Sequence, residues 1–366
     1  GGIIPVRVFG LFVAFGTVVI RFMSFTFIPA VMMLVKEEKL LKVSSRDSLE
    51  KGASVWLGRL GRFATAKPKI LLGIGFILLV LAIAGISRIK VNNNMVKWFK
   101  EKSEIRQADK IMNENLGGTS LGYLVAQTNT PEGMKEPENL KYLEGVQKDL
   151  EKVEVVGKTT GLTDLIKRMH RVINQDKPEF EKIPEDRKVI AQYLFMFGMA
   201  TKPSTLDNLV DYPYQQANLM VQLKTWDAQA MQKVIDRVDD YQKSFPNGNL
   251  KFKPAGIAYF NLVWNNEVLF DMVKVFILAL ILVYLILSFN FRSFKWGLLS
   301  YFPLIFTIVL IYGVVGFIGK DFDMPISVLS TLSLGMAVDF AIHFIQRFKQ
   351  RYETEKDLTK ALIWTV

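Results

Sequence analysis

The sequence predicts a polytopic α-helical membrane protein carrying one α+β domain outside the bilayer, and three observations predict it. Five apolar stretches are each long enough to cross a membrane, which takes about 17–25 residues of helix. The loops between them place their basic residues on one side consistently. Between the second and third stretches lies a long segment with the alternating and helical patterns of a water-soluble fold. Composition agrees, since 50% of the 366 residues are hydrophobic while 46 Lys+Arg stand against 35 Asp+Glu. The net charge of +11 has no recognition motif beside it, so nucleic acid is not an expected partner. The absence of cysteine excludes disulfides, thiolate metal sites and cysteine nucleophiles.

In chain order, residues 1–35 form the first membrane element, with the apolar run Val8–Val35 interrupted by Arg21. The opening GGIIPVRVFG lacks an initiator Met and a signal-peptide pattern, and reads as the interior of a longer protein. Residues 36–69 are a basic linker: Lys36, Lys39, Lys42, Arg46, Lys51, Arg59, Arg62, Lys67 and Lys69 face four acids. The positive-inside rule makes this linker cytoplasmic. Within it, residues 44–63 set Leu49, Trp56, Leu60 and Phe63 on one helical face, either an amphipathic helix in the membrane interface or a helix packed beneath the membrane domain. Residues 70–86 form the second span.

Alternation then places residues 87–271 outside as one domain. Its runs 137–153 and 227–245 have apolar residues at helical spacing, whereas 121–127 and 217–224 are β-rich, and Asn247-Gly248 marks a turn. Residues 272–345 hold three further spans, Val275–Phe291, Trp296–Ile318 and Ile326–Ile345, with 263–274 continuing the first of them into water as helix. Arg292, Lys295, Arg347, Lys349 and Arg351 fall on the cytoplasmic side, and the turn 319–325 outside. Residues 346–366 are a cytoplasmic segment leading towards a further helix.

The residue that points to function is Asp339, in SLGMAVDFAIHFIQRF. An aspartate at a helix centre in a bilayer is unfavourable by roughly 2.5–3.5 kcal/mol on translocon scales, which argues for an inward-facing side chain with a partner. His343 lies one turn on and Gly335 one turn back. A carboxylate and an imidazole at that spacing suit a proton relay, with a carboxylate that only bonds a neighbouring helix as the structural alternative. Ser327, Thr331, Gly335, Asp339 and His343 form a small or polar row that winds round the helix, and Gly335 admits another helix closely. Arg21 is a candidate intramembrane charge partner for Asp339, beside snorkelling or a pairing with something else.

The run 291–348, with Gly335, Asp339 and Phe340 matching G-x-x-x-D-[YF], closely resembles helices of the resistance-nodulation-division (RND) superfamily, especially the MMPL-like lipid exporters. The run RVFGLFVAFGTVVIRFMSFTFIPAVMML is similar to the sixth helix of that family, and residues 91–120 to the start of its second porter domain. The resemblance implies a proton-driven exporter of lipids or amphiphiles in the inner membrane, with residues 87–271 periplasmic. It also implies that this chain covers helices six to ten of twelve. A first repeat in the same chain would then supply a carboxylate opposite Asp339, with a homo-oligomer as a further expected assembly. Phe340 departs from the tyrosine of many members, and Arg21 has no expected counterpart. The other resemblances weighed are a sterol-sensing or Patched-like lipid sensor and a SecD/SecF-like export accessory.

Other residues are read as structural. His170 has Arg168 and Arg171 beside it, which disfavours a metal, and is expected to be solvated. Asp239 and Asp240, adjacent on a helix, point apart, and Asp321/Asp323 sit in a seven-residue turn with few further ligands. Gly117-Gly118 has no following Lys-Ser/Thr, and no G-x-S-x-G elbow occurs, so neither an enzyme nor a cofactor is expected.

Overall fold

The computed structural model describes residues 4–34 and 50–365. Val35 and Leu49, assigned above to the first span and to the linker helix, lie outside the described residues, as does the rest of the linker's first part, residues 36–48. The chain divides into two compact units, residues 1–91 with 267–366, and residues 92–266. The first unit begins with α1 (Ile4–Leu34), α2 (Glu50–Ala66) and α3 (Pro68–Ile86). Pro68 opens α3 at a position where its missing N–H is no loss. Along α1 the hydroxyls of Thr17 and Thr26 donate back to the carbonyls of Val13 and Phe22 at 2.9 and 2.8 Å, which satisfies them without water.

The second unit contains α4 (Glu104–Asn115), β1 (Ser120–Thr128), α5 (Pro137–Leu150), β2 (Val156–Thr160), α6 (Leu162–Ile173), α7 (Arg187–Ala200), α8 (Pro203–Asp207), β3 (Gln216–Leu223), α9 (Ala228–Ser244) and β4 (Leu250–Ala255). The strands form one antiparallel sheet in the order β2-β3-β1-β4, with Leu124 opposite Leu219 in the central pair. With α5 between β1 and β2 and α9 between β3 and β4, this is a ferredoxin-like β-α-β-β-α-β arrangement interrupted by α6–α8. Strand β1 reads SLGYLVAQT and buries every second residue, the period of a sheet covered on one face. Leu140, Leu143, Val146 and Leu150 of α5 meet Met231 and Val234 of α9 over Leu124, Leu219 and Val221. Arg237 forks onto both Asp149 oxygens at 2.7 Å, joining α9 to α5 and holding the carboxylate below its ordinary pKa.

His170 corrects an expectation. It is half-buried, with Nδ1 2.8 Å from the Tyr193 hydroxyl and its ring edge-on to Phe180. Burial, with the charge of Lys182, lowers its pKa. Neighbours brought in from α7 and the turn at Pro178–Phe180, unseen in local sequence, shield it partly from water.

The chain continues through α10 (Gly256–Asn290), which belongs to the first unit from Glu267 on, and then through α11 (Phe294–Ile318), α12 (Met324–Glu355) and α13 (Leu358–Thr365) of that unit. α10 is one unbroken helix that includes the expected extension over 263–274. α3, α10, α11 and α12, together with α1, are five helices long and apolar enough to span a bilayer. Leu287, Leu304, Ile308, Leu334 and Ile345 form the buried centre shared by α10, α11 and α12. α3 crosses α11 at a glycine contact, where a Cβ on Gly85 would strike the Gly313 carbonyl and one on Gly316 would strike the Gly85 carbonyl. The turn before α12 is structural: Asp323 accepts from Ile326 N at 3.0 Å as the N-cap and pairs with Lys320 at 3.3 Å. α2 packs against α13 and α3, and leaves Leu60 and Phe63 of its expected apolar face exposed. The Trp56 side chain lies outside the described residues.

Candidate functional site

α12 has two unlike sides. Leu334, Ala337, Val338, Ala341, Ile342 and Ile345 belong to the packed side, against α10 and α11. Leu332, Gly335, Met336, Asp339, Phe340 and His343 are exposed. The division follows the 3.6-residue period, since 335, 339 and 343 stack one turn apart while 334, 338, 341 and 345 lie round the other side. The four-residue row drifts as it climbs, from Ser327, buried at the start of the helix, to Asp339, in the open. The Thr331 side chain lies outside the described residues.

Asp339 and His343 therefore share the open side of α12, and no hydrogen bond joins them among the described residues. Around Gly335 the side is bare: a Cβ built there meets nothing within 4 Å. Among the described residues no neighbour approaches Gly335 closely. Arg21 is exposed on α1 with its guanidinium 5.8 Å from the Phe25 ring centroid, and forms no ion pair with Asp339. The structure thus brings Gly335, Asp339 and His343 together on one helix side and leaves Arg21 apart from them.

Phe340, 75% exposed, turns the corner from this side into an apolar groove of about 660 Å³ between α11 and α12. Pro303, Leu299 and Thr307 form one wall, and Met336, Phe340 and Phe344 the other. Pro303 lies inside α11, where it leaves one backbone bond unmade, and the Thr307 hydroxyl returns to the Pro303 carbonyl at 2.8 Å. Apart from Phe340, the groove residues were not singled out from sequence. A proline within a run otherwise fit to span the membrane was the signal available.

A second polar cluster stood unmarked in the sequence. In the 92–266 unit, Asn92 and Asn94 donate through Nδ2 to Asp227 Oδ1 at 2.8 and 2.7 Å, and Lys97 Nζ lies 3.2 Å from the same oxygen. Asn92 also accepts from Ala228 N at 3.1 Å, and Asn261 donates to the Trp226 carbonyl at 2.9 Å. Burial by itself raises the Asp227 pKa, but the hydrogen bonds from Asn94 and Asn92 and the charge of Lys97 outweigh it, and the pKa is lowered. This cluster fastens the chain arriving from α3 to the first turn of α9. Among the described residues there is no group of three or more His, Asp or Glu placed to hold a metal ion.

Comparison with known proteins adds two findings. The sequence profile of the MMPL family matches residues 104–366. A protein of Methanocaldococcus jannaschii named "Putative membrane protein MJ1562" is 20% identical over 319 residues, covering 84% of this chain and 78% of that protein.

Proposed function

The chain belongs to the MMPL family, a family of RND-type transporters, and from that membership we propose that it works as a proton-driven secondary transporter in which Asp339 takes up and releases the coupling proton. The single observation carrying this reading is the placement of Asp339 within a membrane-spanning helix, on its open side, among exposed apolar residues. A charged carboxylate left so in hydrocarbon is unfavourable by about 2.5–3.5 kcal/mol, and a proton or a facing polar group relieves it. Gaining and losing the proton then changes what α12 packs against. That change moves the neighbouring helices and, through α3 and α10, the domain of residues 87–271. His343, one turn away, is the group that hands the proton on.

The proposed cargo is a lipid or amphiphile, the proposed location the inner membrane, and the proposed side of the 87–271 domain the periplasm. The face of α12 bearing Gly335 and Asp339 is proposed to meet a carboxylate-bearing helix of a preceding repeat in the same chain, with a second subunit as the other source. The open groove between α11 and α12 favours a second reading, a sterol-sensing or Patched-like protein that binds lipid there without net export.

The two readings separate in proteoliposomes under an imposed pH gradient. Asp339→Asn is expected to abolish gradient-driven movement of a fluorescent lipid, with unchanged far-UV circular dichroism and elution. Undiminished transport by that variant refutes the proton role. Lipid binding that ignores the gradient in the unaltered protein favours the sensor.

A further inference from the structure

In the 92–266 unit, the stretch from the 3₁₀ turn Met95–Trp98 through α4 is amphipathic, and its apolar residues are not the ones it packs with. α4 is fastened by polar groups: Asp109 accepts from Thr119 Oγ1 at 2.5 Å, and the Trp226 indole donates to the same hydroxyl at 3.0 Å. None of its residues is buried. Ile105, Met112 and Leu116, at i, i+7 and i+11, form an apolar stripe that is 47%, 40% and 58% exposed. Trp98 and Phe99, just before, are 42% and 49% exposed, and Met95 is exposed beside them. A helix of a water-soluble surface turns such residues inward, so this stripe has a partner outside its own domain.

Chain continuity says which partner. α3 spans the membrane and ends at Ile86, and the Lys90 carbonyl accepts from Phe322 N at 2.7 Å in the turn before α12. From Val91 to Trp98 the chain reaches at most about 25 Å. Between Arg88 and Lys102 the sequence carries Arg88, Lys90, Lys97, Lys100 and Lys102 against the single acid Glu101. Tryptophan and phenylalanine interleaved with lysine, next to a span, are the chemistry of the lipid headgroup layer. The core of a protein interface is instead depleted in lysine.

We propose that the strap from Met95 to Lys102 and the helix α4 lie in the membrane interface, with Phe99 and the Ile105–Met112–Leu116 stripe among the lipid. Lys100 and Lys102 rest against anionic headgroups. The strap then anchors the domain to the bilayer at the point where the chain leaves α3, and the cluster on Asp227 ties that anchor to α9.

The chain has no cysteine, so single cysteines report one position each. Phe99→Cys and Met112→Cys, spin-labelled in the full chain and reconstituted in nanodiscs of phosphatidylcholine with phosphatidylglycerol, are compared with Tyr212→Cys, whose parent side chain is 95% exposed. Collision with oxygen relative to a water-soluble nickel chelate is expected to be several-fold higher at positions 99 and 112 than at 212. In pure phosphatidylcholine, or with Lys100→Glu and Lys102→Glu added, the excess is expected to shrink. A ratio at both positions equal to that at 212 overturns the proposal. So does protection from both reagents, which means that protein covers the stripe.

Discussion

At the scale of single residues, the Asp227 cluster gives the clearest test, because one carboxylate oxygen gathers Asn92, Asn94 and Lys97. Its pKa is lowered in the folded protein, so the charged form is the one the fold favours. The stabilisation is present above the unfolded carboxylate value of about 3.9 and is lost as pH falls through the lower folded value. Hydrogen exchange at the amides of Val96, Lys97 and Ala228, which Asn94 and Asn92 hold, should therefore quicken on acidification once intrinsic rates are corrected. Asp227→Asn should lower protection there by roughly tenfold to a hundredfold at neutral pH, the equivalent of about 1.5–3 kcal/mol for hydrogen bonds to a charged group. Protection that ignores both pH and the substitution would mean the cluster carries no such load. Asp339 was legible in the sequence because a carboxylate in an apolar run is conspicuous by itself. Asp227 was not, because its meaning depends on asparagines more than 130 positions away in the chain.

At the scale of elements, two glycines of the same unit make opposite predictions. Gly313 sits where a Cβ would lie 2.5 Å from the Ala82 Cα, so Gly313→Leu must push α11 off α3. A loss of about 1–3 kcal/mol or more is expected from overpacking, read as a lower melting temperature and weaker cross-linking between the two helices. Gly335→Ala meets open space and should leave stability unchanged or slightly raised, since alanine favours helix over glycine by about 0.8–1 kcal/mol. Equal behaviour of the two would mean that the α3–α11 crossing is not as close as described. The spans themselves were readable from length and hydropathy, and so were α5, α9, β1 and β3, whose periods are regular. β2 and β4 were not. VGKTT is short and polar, and LKFKPA carries a proline that only an edge strand accepts, so each becomes a strand only by pairing with β3 or β1.

At the scale of the whole molecule, the question is what lies over the open side of α12. Sequence reasoning expected Asp339 to face a partner, and the partner's own residues cannot be read from this chain's sequence. The structure gives the side that such a partner would occupy: Gly335 bare, Asp339 above it, Phe340 at the edge. A small residue one turn from a carboxylate is what a close-packed membrane helix needs, whereas a surface facing lipid has no use for it. Gly335→Leu separates these cases. The first carbon of that side chain meets nothing within 4 Å among the described residues, so the melting temperature and the α3–α11 cross-link should hold, while gradient-driven transport should fall by at least tenfold because a covering helix is displaced. The cysteine-free chain also allows Gly335→Cys, whose label should be shielded from oxygen and nickel alike when the side is covered. Transport unharmed by leucine, with a label open to oxygen, would place that side of α12 in lipid and leave Asp339 to act without a facing helix.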